Sequence, residues 1–251
     1  MKARMAAYGG YQLRDYFVGR GALTIIATCV GVWAYVTSNG ITLAAFDPSA
    51  GIEGRDQAHR TFTAVLSIFA IIAAAFAAQG LIARDRRRGY DQLWFSRVVS
   101  PLRYYLQGFA LSGLGAVLLG AVIAEVYAIL VHPISVPGAV ACVALAWLTV
   151  GGLAFALSRA TWLHTPVVVL LVGADLALHQ FAPSLRSTAA GEALVDFGQY
   201  LLPPAHIVTA LSDPLVQGTL VDARTLIWPV VFGVACLTVA ILQLRRRPLG
   251  T

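Results

Sequence analysis

Residues 137–158 read PGAVACVALAWLTVGGLAFALS, a run without a single charged side chain. The hydrocarbon core of a bilayer is about 30 Å thick and takes roughly 20 helical residues to cross, so this run is long enough to span it. A spanning β-strand would show about ten residues of alternating polar and apolar character, which is absent. The stretch reads as a membrane-spanning helix, and the rest of the chain is read outward from it.

On the N-terminal side lie similar runs at about 21–37, 61–83 and 104–131, and on the C-terminal side at about 163–181 and 225–244. None of the six contains Lys or Arg, and only two contain an acid, Glu125 and Asp175. Of the 251 residues, 58% are hydrophobic and 12% charged. A water-soluble domain usually carries about 25% charged residues, so the main solvent of this chain is lipid. The expected fold is all-α: one polytopic transmembrane domain over 1–251, with six spans.

The basic residues orient it. Lys2, Arg4, Arg14, Arg20, Arg84, Arg86, Arg87, Arg88, Arg97, Arg103, Arg159, Arg245, Arg246 and Arg247 fall on one side of a six-span arrangement, and Arg55, Arg60, Arg186 and Arg224 on the other. The positive-inside rule places the first set, and with it both ends of the chain, in the cytoplasm of a cell (inner or plasma) membrane. The net charge of +6 is spread between apolar segments and forms no patch on a soluble module, so nucleic acid is not an expected partner. About twenty residues precede the first apolar run, long for a signal-peptide n-region, and no cleaved leader is expected.

Several features ride on this scaffold. Tyr11 to Arg20 (YQLRDYFVGR) mixes aromatic and charged residues like an amphipathic helix in the cytoplasmic interface. The first outer loop, Ser38 to Arg60, reads as irregular. The turns His132 to Val136 and Arg159 to Trp162 are short enough to make spans three, four and five antiparallel neighbours. The outer segment Ala182 to Arg224 is too long for a simple turn. Within it Ala189 to Leu202 is amphipathic, Pro203-Pro204 breaks the helix and Ala205 to Leu211 resumes it, giving two short helices at or partly within the outer leaflet. Ala73-Ala74-Ala75 and Gly113-x-Gly115 offer small surfaces for close helix approach.

The chemistry is sparse. No GxxxxGK[ST], HExxH or GxSxG motif occurs. Cys29, Cys142 and Cys236 lie inside apolar stretches with no CxxC, which implies neither a disulfide framework nor a zinc site. Glu125 and Asp175 stand out on energetic grounds, each about six residues from the outer end of its span. An ionised acid near the membrane centre costs roughly 2.5–3.5 kcal/mol on insertion scales, so it faces protein or water. Asp175 and His179 are one helical turn apart and share a face. Together with Glu125 they are candidates for a substrate path, or for a polar lock between helices. A membrane-embedded haem or redox protein built on His164, His179 and Glu125, and a non-transporting scaffold subunit, are the rival readings.

The loop between spans two and three carries a family resemblance. Its sequence Arg84-Asp85-Arg86-Arg87-Arg88-Gly89-Tyr90-Asp91-Gln92-Leu93, then Ser96-Arg97-Val98-Val99-Ser100 and Tyr105-Leu106-Gln107-Gly108, resembles the cytoplasmic loop of ABC-2 type permeases. It departs from their pattern where Val98 replaces the usual Pro, where Tyr90 follows the Gly, and where no Lys follows Gly108. The resemblance implies a half-sized membrane-spanning subunit of an ATP-driven exporter. It would pair with a second permease copy or a paralogue and with a separately encoded ATPase that binds ATP and Mg. This chain would perform no enzymatic chemistry itself. Carried onto its residues, the ATPase-coupling element is Gly89, Tyr90, Asp91, Leu93, Trp94, Phe95 and Ser96, with Leu93-Trp94-Phe95 as an apolar knob ringed by arginines.

Overall fold

The computed structural model describes residues 10, 14, 16–38, 51–77, 100–160 and 164–246. All regular structure among them is helical. A π-helical turn at Tyr16–Gly21 runs directly into α1 (Ala22–Ser38). It is followed by α2 (Gly51–Ala77), α3 (Pro101–Leu130) and α4 (Val136–Ala146), which continues through a π-helical turn at Trp147–Gly151 into α5 (Gly152–Ala160). Then come α6 (His164–Leu185), α7 (Ala189–Leu201), α8 (Ala205–Gln217) and α9 (Ala223–Arg246). Six of these stretches are long and apolar enough to cross a membrane: Phe17–Ala34, Asp56–Phe76, Leu102–Leu130, Val136–Ser158, Thr165–Leu185 and Ala223–Arg245. The chain is an all-α, multi-pass membrane protein.

The second and fourth spans form the centre of the bundle. Each buries 56% of its span, whereas the first, fifth and sixth bury less than a fifth. In lipid no hydrophobic force drives helices together, so close packing rests on small residues and shape. Ala73 and Ala74 are fully buried as expected. A Cβ placed on Gly113 would lie 2.2 Å from the Trp147 indole, and one on Gly233 would lie 2.6 Å from the Leu148 carbonyl oxygen. Trp147 stacks on Phe109, and Phe109 on Phe155, at centroid separations of 4.1 and 4.8 Å, filling the space that Gly113 leaves.

Two expectations are corrected. Residues 51–60, read as part of an irregular loop, are helical, and α2 begins ten residues before the expected start of the second span. The reason is packing: Ala58 and Phe62 are buried, His59 Nε2 lies 3.1 Å from Asp213 Oδ1, and α2 is braced against α8 along this turn. Likewise α8 continues past Leu211 through Asp213 and Pro214 to Gln217. It ends at Gly218, whose φ of 72° is the left-handed conformation that favours glycine, with Gly218 N–H donating to the Leu215 carbonyl. Of the interfacial helix expected over 11–20, residues 11–13 and 15 lie outside the described residues, and 16–20 belong to the π-turn that leads into α1 without a break. Residues 78–99, which include the coupling element expected at Gly89 to Ser96, also lie outside them.

The pair α7 and α8 takes up the segment between the last two spans, as its break at Pro203-Pro204 implied. α7 packs on α6 through Val195, Gly191 and Gly198 and leaves Leu194, Phe197 and Tyr200 exposed. That exposed face is apolar and suits lipid. α8 goes deeper and contacts α2, α4 and α6, with Ala205, Val208, Leu211, Ser212 and Val216 buried at helical spacing.

Candidate functional site

The docking of α8 creates the site. Its N-cap residue is Pro204, which has no side-chain acceptor, and the first turn of the helix would leave amide hydrogens unpaired. Asp175 of α6, fully buried, fills the role from a neighbouring helix. Its Oδ2 accepts the His206 backbone N–H at 2.7 Å, where the positive end of the helix dipole favours an anion. Its Oδ1 stands 2.8 Å from His206 Nδ1, and Oδ2 stands 3.0 Å from the same nitrogen. Because His206 Nδ1 meets only carboxylate oxygens there, it carries the hydrogen and donates it.

His179 completes the cluster one turn along α6. Its Nδ1 donates to the Asp175 main-chain carbonyl at 2.9 Å and lies 3.4 Å from Asp175 Oδ1. The imidazoles of His179 and His206 stack face to face, with centroids 3.3 Å apart and planes 10° from parallel. Both side chains keep about a fifth of their surface exposed, 23% and 21%, while Asp175 keeps none. One buried acid is thus held between a helix N-terminus and two histidines that reach the surface.

Of the residues singled out from sequence, Asp175 and His179 come together as their spacing implied. Glu125 does not join them. It is exposed on α3, among exposed Val122, Val126 and Ile129. His206, the partner thirty-one residues from Asp175, was missed, because nothing in the local sequence says that the Pro203-Pro204 turn returns α8 to this point of α6. Of the residues named for the haem reading, His164 is fifteen residues before His179 on the same helix, about 22 Å along its axis.

A second polar feature lies at the other end of α8. A cleft of about 450 Å³ is lined by Asp56 and His59 of α2, His132 and Ser135 of the turn between α3 and α4, and Gln217 of α8. Ser135 fixes its rim: the backbone N–H donates to the Val216 carbonyl at 2.8 Å, and the hydroxyl accepts from Gly138 N–H at 3.2 Å.

The fold and the site together define a polytopic α-helical membrane protein with an Asp–His–His cluster built on one buried acid. No protein-family model, no curated protein and no solved structure matches the chain.

Proposed function

We propose that this chain is the permease subunit of an ATP-driven ABC exporter, working with a separate ATPase that binds ATP and Mg and with a second permease copy or paralogue. The observation that carries the reading is the helix pair α7–α8 between the fifth and sixth spans, folded back into the bundle and locked to the fifth span at Asp175. An inserted element of this kind costs backbone groups their solvent and survives only against protein or a wet cavity. A transporter uses such an element as a gate: held by Asp175 when closed, swung away when the path opens. In the orientation favoured by the basic residues, α7 and α8 face the outside, and the arginine-rich segment from 84 to 97 faces the cytoplasm.

Work on the gate would be transmitted from the ATPase through that loop, with Trp94 and its apolar neighbours seated in a groove of the ATPase. The test is co-purification of the chain with an ABC ATPase, followed by Trp94→Glu. Loss of association and of nucleotide-driven transport, with the variant still inserted in the membrane, supports the proposal. A chain that purifies with no ATPase, and whose transport is indifferent to Trp94→Glu, sinks it.

A further inference from the structure

We infer that Asp175, His179 and His206 form a binding site for one divalent transition-metal ion. These three residues offer ligand atoms that all lie within 4.8 Å of one another. Zinc bonds to imidazole nitrogen and carboxylate oxygen are about 2.0–2.1 Å long, which sets the edge of a coordination tetrahedron at roughly 3.3 Å. The separations of Asp175 Oδ1 from the Nδ1 atoms of His206 and His179 are 2.8 and 3.4 Å, on either side of that edge. Both imidazole nitrogens therefore stand at ligand-to-ligand spacing from the Asp175 carboxylate oxygen.

The surroundings suit an ion in a further way. Oδ2 of Asp175 is already engaged by the His206 backbone N–H, which fixes the carboxylate and leaves Oδ1 to face the metal. Such outer contacts orient ligands in metal sites generally. On binding, each ring gives its Nδ1 lone pair to the metal and carries its hydrogen on Nε2, and the stacked rings part by rotation at side chains that are partly exposed. Two imidazoles and one carboxylate select a zinc-like or later first-row ion over magnesium or calcium, which prefer all-oxygen sets. Three protein ligands leave a position open to water or to a ligand from outside. A bound ion would join α6 to α8 and so hold the inserted helix in place, whether or not the chain moves a substrate.

Tag-free protein in detergent, stripped with EDTA, is titrated with Co²⁺ and then with Zn²⁺. Expected are one equivalent of Co²⁺ with ligand-field absorption in the visible, its displacement by Zn²⁺, and a rise in Tm with Zn²⁺. His179→Gln and His206→Gln should each weaken binding at least tenfold, and His59→Gln should leave it unchanged. His179→Gln alters only a partly exposed ring, and it remains a valid test where substitution of Asp175 impairs folding. Folded wild-type protein that gives neither the absorption nor the thermal shift overturns the inference. So does binding that persists undiminished in both histidine variants.

Discussion

Asp175 caps a helix to which it does not belong: its carboxylate takes the His206 amide hydrogen at 2.7 Å and faces the His206 ring at 2.8 Å, although the two are thirty-one positions apart in the chain. The capping residue that α8 lacks at Pro204 is thus supplied by the fifth span, and the same contact seats the inserted helix.

Removing the carboxylate should therefore cost more than removing either ring. Asp175→Ala leaves the His206 backbone N–H and its partly exposed ring without their acceptor, and each hydrogen bond lost to a charged group costs about 1.5–3 kcal/mol. His206→Ala keeps the backbone cap and should cost about 1–2 kcal/mol. Glu125→Gln, on the exposed face of α3, should change stability little. Thermal unfolding in detergent ranks the variants, and an Asp175→Ala protein as stable as Glu125→Gln would refute the cap.

Gly138 tests the seat of α8 from the other side. A Cβ there would fall 1.7 Å from the Leu215 carbonyl oxygen, a backbone atom that cannot step aside as a flexible side chain could. Gly138→Ala should push α8 from α4 and lower Tm by several degrees, with a larger drop for Gly138→Val. Gly173, in the interior of α6 with open space around it, is the control. There alanine should be neutral or add about 0.5–1 kcal/mol through helix propensity. Equal effects at the two positions would remove the steric argument.

The spans and the two short helices were legible because lipid imposes length and apolarity on every crossing, and Pro203-Pro204 marks the break between α7 and α8. What escaped was set by contacts distant in sequence. The helical turns at 51–60 carry Glu53, Arg55, Asp56 and Arg60, and charge of that density reads as loop until α8 is present to pack against Ala58 and His59. Asp213-Pro214 reads as a stop, yet the helix passes through it to an αL glycine. The Asp175–His179 half of the site was readable from i,i+4 spacing, while His206 needed the fold.

Trp147 is a partly buried aromatic packed against the core. It fills the gap over Gly113 and stacks on Phe109 within a π-helical turn of the central span. Trp147→Ala should cost about 3–5 kcal/mol through the cavity it leaves. Trp33, 68% exposed on α1, should tolerate alanine with little change in unfolding temperature. If the two substitutions prove equally mild, the packing at the centre of the bundle is looser than these contacts require.

The proposed orientation can be tested with a pair of single cysteines in a background where Cys29, Cys142 and Cys236 are replaced by serine or alanine. Leu220, fully exposed between α8 and α9, lies at the end of the bundle that carries the inserted helices. Ser100, exposed at the start of α3, lies at the opposite end, because one crossing by α3 separates it from the turn that packs on α8. The sequence reading assigns fourteen of the eighteen basic residues to the side of Ser100, and the proposed orientation puts that side in the cytoplasm. Leu220→Cys should react with a membrane-impermeant maleimide on intact cells, and Ser100→Cys only after permeabilisation. The opposite pattern would invert the chain, place the arginine-rich loop where no cytoplasmic ATPase could reach it, and take the exporter proposal with it.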